Sequence, residues 1–199
     1  MAKYRLLMLM FDGVEVLDFA GPFEVFSVTD EEQGGELLDV KLVSVDGMCV
    51  TARNGLSVNV DAAYSDYDEA DILLLPGGNG TRALLSDEKL LAWIDGVSRT
   101  TVHTLTVCSG ALVLAKTGLL AGLDATTHND CFELLAELAP DANIKKSARF
   151  TDNGHIVTSG GISAGIDMSL YMVAKLFGEQ AAEQTIKVME YHSDAWRAE

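Results

Sequence analysis

Thr101–Ala115 reads TVHTLTVCSGALVLA, and this stretch decides the fold. Its first half, to Val107, is rich in β-branched residues and reads as a buried strand. Its second half, Ser109–Ala115, is an unbroken apolar run of helix formers closed by Gly118. Only Cys108 separates the two. A strand that feeds straight into a helix is the unit of a parallel sheet covered by helices.

The same alternation extends in both directions. Tyr4–Phe11 and Ile72–Leu75 read as short buried strands, and Val40–Val45 as another. Val16–Val28, Ser86–Ser98, Asn129–Leu138, Ser163–Phe177 and Glu179–Tyr191 carry helical patterns, with Ser86 as the expected cap of the second. Asn54-Gly55 and Asn153-Gly154 mark the bends of two expected hairpins, over Val50–Val60 and Ala148–Thr158. The expected architecture is a three-layer α/β/α sandwich around a mostly parallel, flavodoxin-like sheet. At 199 residues the chain is read as one domain, residues 1–199.

Composition narrows the function. There are 14 Lys plus Arg against 30 Asp plus Glu, a net charge of −16. That argues against a general electrostatic grip on nucleic acid or an anionic membrane. The early apolar run Leu6–Phe11 stops at Asp12, far short of the ~20 residues of a spanning helix. Three cysteines, Cys49, Cys108 and Cys131, form no disulfide framework, and a reducing cytoplasm is the expected setting.

Ligands of such sheets bind at the carboxyl ends of the strands. Cys108 falls there, at a strand-to-helix elbow where a helix amino end lowers a thiol pKa and a backbone N–H can meet an oxyanion. The position also suits a buried structural cysteine. Pro76-Gly77-Gly78-Asn79-Gly80 ends another strand with bare backbone, suited either to the second half of an oxyanion hole or to an ordinary tight turn. It matches neither a phosphate loop nor a dinucleotide fingerprint. Asp18, between Leu17 and Phe19, is either a proton carrier beside the thiol or a helix cap. His128 reads as a distant partner or as a loop histidine bonding nearby backbone. Cys131 reads as core or pocket wall, and Asp167 as serving the amino end of its helix. Trp93, Tyr171 and Phe177 read as core, and His103, His155 and His192 as structural or solvent-facing. No metal-ligand spacing is evident.

Together, DFAGP (Asp18–Pro22), PGGNG (Pro76–Gly80), VCSGA (Val107–Ala111), ATTH (Ala125–His128) and TSGGISAGID (Thr158–Asp167) resemble the ThiJ/PfpI superfamily, related in fold to class I glutamine amidotransferases. The chain is most similar to the isonitrile hydratase-like branch, which also supplies sensor domains of AraC-type regulators. The resemblance implies Cys108 as elbow nucleophile, Asp18 as its carboxyl partner, and the N–H groups of Gly78 and Ser109 as oxyanion donors. Gly77, His128 and Asn129 would line the substrate pocket. It implies hydration of isonitriles to N-substituted formamides without metal or organic cofactor, in a homodimer with Asp18–Pro22 near the interface. Ser109 stands where Thr is usual, and Asn129-Asp130 where Trp usually follows the histidine, which implies a reshaped pocket. Branches acting on peptides or α-oxoaldehydes usually carry His at the position of Ser109, so glyoxalase- or amidase-like activity is a weaker expectation. A small-molecule or redox sensor using Cys108 is the other. No basic DNA-reading segment precedes Glu199, so no nucleic-acid partner is expected.

Overall fold

The computed structural model describes residues 3–197. In chain order the first half is β1 (Tyr4–Leu9), α1 (Val16–Glu32), β2 (Leu38–Ser44), β3 (Val50–Thr51), β4 (Ser57–Val58), β5 (Ala62–Ala63), β6 (Ile72–Leu75), α2 (Thr81–Leu84) and α3 (Glu88–Ser98). Then come β7 (His103–Val107), α4 (Gly110–Lys116), β8 (Asp124–Ala125), α5 (Phe132–Leu138), β9 (Asn143–Ile144), β10 (Phe150–Asp152), β11 (Ile156–Ser159), α6 (Ala164–Phe177) and α7 (Glu179–Met189).

Seven strands form one sheet in the order β10-β11-β7-β6-β1-β2-β5. Every pairing is parallel except β10 with β11 at one edge. Helices α1, α6 and α7 pack on one another on one face, and α2, α3 and α5 gather around α4 on the other. This is the expected three-layer arrangement. The central strands show why it forms. Leu6–Leu9 and Ile72–Leu75 are buried on both faces, which only a sheet covered twice can satisfy. Burying their side chains contributes about 1.5–3 kcal/mol each.

Several boundaries differ from the sequence expectation, each for a local reason. The strand expected from Thr101 starts at His103, because Thr101 Oγ1 turns back to Ser98 O at 2.9 Å. Helix α3 is capped by Asp87, which accepts from the Leu90 N–H at 3.0 Å, and not by Ser86, whose hydroxyl goes to Ala83 O. Residues 129–131 form a 3₁₀ turn before α5 instead of a continuous helix. The two-residue pairs β5 and β8–β9 carry too little pattern to read from sequence. Both expected hairpins form. Asn54 and Gly55 take positive φ (64° and 87°), the left-handed geometry these residue types tolerate.

Asp167 lies in the first turn of α6, as expected, but its carboxylate does not cap that helix. It takes Arg149 in an ion pair (Nε at 2.7 Å), the Tyr191 hydroxyl at 3.1 Å and the Ser193 hydroxyl at 3.2 Å. The carboxylate is fully buried and ties the approach to β10 and the segment after α7 onto α6. Asp167→Ala strips Arg149 of its buried partner and takes the acceptor from the Tyr191 and Ser193 hydroxyls, so it should cost about 2–4 kcal/mol. Urea denaturation checks this, and an unchanged midpoint would reject the anchor role.

Candidate active site

The carboxyl ends of β1, β6 and β7 lie side by side, and the residues that follow them converge. Cys108 sits at the elbow with φ 57°, a conformation that L-residues other than Gly rarely adopt. Surrounding bonds hold it there. Its N–H is shared between Gly160 O (3.0 Å) and Ser159 O (3.2 Å), and its carbonyl accepts from Thr127 Oγ1 at 2.7 Å. Strain of this kind persists where neighbours over-determine the backbone. The Thr-Ser-Gly-Gly (158–161) and Ala-Thr-Thr-His (125–128) segments therefore bracket the elbow.

Gly77 packs against the elbow. A Cβ there would meet Ser109 N at 2.5 Å, Asp18 Oδ2 at 2.7 Å and Cys108 Cβ at 2.8 Å. Its absence lets the Gly77 N–H reach Asp18 Oδ2 at 3.0 Å. Asp18 is fully buried in the first turn of α1 and caps nothing. The Cys108 thiol and the Ile162 N–H face its carboxyl, yet Oδ1 has no well-formed hydrogen bond. Burial lifts this carboxyl to about 7, against the smaller pull of the thiol and the Gly77 N–H. Burial pushes the Cys108 thiol up as well, to about 12, and the Asp18 charge adds to that. The Ser109 N–H at the sulfur opposes the rise but does not overcome it. Contrary to the expectation from its place at a helix end, the thiol pKa is not lowered, because desolvation and the neighbouring Asp18 outweigh one short helix terminus.

Ser109 also differs from its expected setting. Its Oγ accepts from the Gly78 N–H at 2.9 Å and lies 3.2 Å from Gly78 O. The Gly78 N–H is therefore occupied by this hydroxyl and is not an open oxyanion donor. The Ser109 N–H faces sulfur.

A cleft of about 170 Å³ opens onto Cys108 and is walled by Glu15, Arg53, Arg82, His128, Cys131 and Ile162, among others. Cys131 is buried in that wall. His128 Nδ1 accepts from the Asp130 N–H at 3.2 Å, so the backbone role holds, and its ring also lines the cleft. Asn129 does not. It faces a larger neighbouring cavity of about 480 Å³, which shares His128 and Ile162 with the first. The 3₁₀ turn at 129–131 rotates Asn129 away from the sulfur, which sequence position could not show. His103 is buried at the far, amino end of β7; His155 and His192 are exposed.

Two wall residues carried no sequence signal, Arg53 and Arg82, and a third, Ile162, was marked only as part of the Thr158–Asp167 motif. Ile162 holds φ 53°, an outlier for a β-branched residue, and presents its N–H to Asp18. A positive φ at Ile leaves no trace in composition or periodicity.

The sequence pattern of the DJ-1/PfpI family matches residues 4–175. The chain belongs to that family. Among its DJ-1/PfpI relatives, the isonitrile hydratase of Pseudomonas putida is 34% identical over 183 residues, covering 92% of this chain and 76% of that protein. The HTH-type transcriptional regulator CdhR of Pseudomonas aeruginosa is 31% identical, covering 88% of this chain and 52% of the regulator. The chain thus spans about half the length of the regulator. A solved ThiJ/PfpI family protein from Pseudomonas syringae superposes with TM-score 0.87 at 31% identity, over 98% of this chain and 77% of that one. Drosophila melanogaster DJ-1beta, at 19% identity and TM-score 0.81 over 97% of this chain and all of that one, shares the fold. The family thus includes both enzymes and regulators. Among the described residues, no helix is long and apolar enough to cross a membrane.

Proposed function

We propose that this protein is a cysteine-dependent hydratase that converts isonitriles to N-substituted formamides. The observation that carries this reading is the buried pair of Asp18 and Cys108, in which a carboxyl that titrates near 7 faces a thiol that holds its proton. The likeness to the Pseudomonas putida isonitrile hydratase supports the substrate class.

The terminal carbon of an isonitrile is electrophilic toward sulfur and takes up a proton as the sulfur adds. The Cys108 thiol gives its proton to the Asp18 carboxylate, and sulfur bonds to that carbon. Asp18 returns the proton to the same carbon, which leaves a thioimidate on Cys108. Water then adds to this carbon. The C–S bond breaks, the thiol regains a proton, and the N-substituted formamide departs. One isonitrile and one water give one formamide, and no oxidant is consumed. A proton carrier works best with a pKa near the operating pH, which burial gives Asp18. Ser109, whose hydroxyl bonds Gly78 and which lines the cleft, would contact the attacking water or the nitrogen of the adduct by exchanging one of those bonds.

A thiol held near 12 is mostly un-ionised at neutral pH, and oxidation follows thiolate character. That disfavours a peroxide sensor relative to an enzyme that ionises its thiol only as substrate is attacked. The test is formamide production from cyclohexyl isocyanide. Wild type should turn it over with a rate that rises with pH and levels above about 7, as Asp18 ionises. Cys108→Ala should lose turnover completely. A folded wild-type protein that leaves the isonitrile untouched would remove this reading.

A further inference from the structure

The cleft over Cys108 holds a charge that the hydration chemistry does not use. The chain has only six arginines and a net charge of −16, yet two of the six, Arg53 and Arg82, line this one small cleft. Their situations differ. The Arg53 guanidinium is paired with Glu15, Nη1 to Oε2 at 2.6 Å. The other acid on the cleft, Asp130, lies 3.7 Å from His128 Nδ1. Arg82 has no carboxylate within ion-pair distance among the described residues. It donates instead to neutral groups: Nη1 to Thr81 Oγ1 at 3.0 Å and Nη2 to the Cys131 sulfur at 3.3 Å.

Those two contacts aim the guanidinium without neutralising it. Thioether and thiol sulfurs are weak acceptors, so the Nη2–H on Cys131 is poorly satisfied and free to change partner. An arginine carries five N–H donors in a planar fork that fits a carboxylate with two parallel bonds. In a protein whose overall field repels anions, a guanidinium with donors to spare beside the nucleophile is a local exception. The walls of the cleft concentrate its field there.

We propose that Arg82 is a specificity residue that binds a carboxylate on the substrate, so that the preferred isonitriles are short and carry a carboxylate on the N-substituent. The proposal rests on the hydratase reading for the reacting group, but its evidence, the unpaired guanidinium, is separate. Size agrees. The cleft is small, about 170 Å³, which favours a short N-substituent. Isocyanoacetate, with six heavy atoms, is the simplest member of the class. Its hydration product is N-formylglycine.

Two matched pairs of probes test this. The first is isocyanoacetate against methyl isocyanoacetate in turnover. The second is N-formylglycine against its methyl ester in calorimetric binding. Wild type should prefer the free carboxylate in each pair. A charge-assisted hydrogen bond contributes about 1.5–3 kcal/mol, so Arg82→Gln should reduce that preference roughly ten- to hundredfold. In turnover the loss should fall on KM more than on kcat. Arg82→Lys should keep part of the preference and lose the rest with the fork. Thermal melting of both variants checks that they fold, as expected for an exposed side chain. A wild type without preference, or an Arg82→Gln variant that retains it in full, would overturn the proposal. If N-formylglycine binds with an Arg82-dependent preference while neither isonitrile is consumed, carboxylate recognition stands and the hydratase reading falls.

Discussion

Asp18→Asn should gain stability relative to wild type as pH rises from 4 to 8, while formamide production collapses. The native carboxyl keeps its proton up to about 7, whereas in the unfolded chain it ionises at 3.8. Between those values the native state binds a proton that the unfolded state has released. Stability from this group is therefore full below pH 4 and is lost as pH climbs through 7. The loss is about 1.4 kcal/mol per pH unit, or roughly 4 kcal/mol across the window. Asn cannot ionise, and its side-chain oxygen can still accept from the Gly77 N–H. Parallel urea titrations of the two proteins at pH 4, 6 and 8 measure the diverging difference. A constant difference would mean that Asp18 ionises normally in the fold. The catalytic arm is separate. Removing a positioned proton carrier should lower the rate by roughly 10²–10⁴-fold. A variant that gained stability but kept its turnover would leave the buried pair intact as physics and remove Asp18 from the chemistry.

Gly110→Ala should damage the fold more than any surface change and more than its single methyl suggests. The added Cβ would stand 2.0 Å from Leu75 O and 2.8 Å from Leu75 C, the last residue of β6. Both are backbone atoms of a central strand, so no side chain can swing aside. Either α4 lifts from the sheet or β6 shifts, and β6 leads directly into Gly77 and Gly78. Overpacking of a core commonly costs about 1–3 kcal/mol, and a clash with strand backbone belongs at or beyond the upper end. At about 2–4 °C per kcal/mol for a chain of this size, melting should fall by roughly 6–12 °C. The reactivity of Cys108 toward iodoacetamide should also change, because the elbow moves with the helix. A variant that melts with wild type would show that the strand-to-helix junction tolerates a side chain there.

The alternation of strands and helices was legible because the central strands are too apolar for anything but double burial. Ile72–Leu75 offers no polar face, and Leu6–Phe11 offers none either. Likewise, Cys108 could be placed at an elbow because β7 and α4 leave no residues for a loop. The family motifs marked the segments that meet at the site, and the fold brings Asp18, Gly77, Gly78, Cys108 and Ser109 together. What those segments do to one another was not legible. The thiol looked acidified from its place at a helix end, yet burial beside Asp18 holds its proton more tightly. Gly78 looked like an open donor, yet the Ser109 hydroxyl covers it. Asn129 looked like pocket wall, yet a 3₁₀ turn sends it to the next cavity.

The sequence by itself determined the layers, the parallel sheet, the position of Cys108 at the elbow and the residues that flank it. These follow from local properties: which runs must be buried, and where a chain has room to turn. Only the tertiary structure decided protonation, hydrogen-bond partners and the charge of the cleft. Those depend on distances between residues far apart in the chain, such as Asp18 and Gly77 or Arg82 and Cys131. Desolvation and hydrogen bonding act over a few ångströms in space, whatever the separation along the chain.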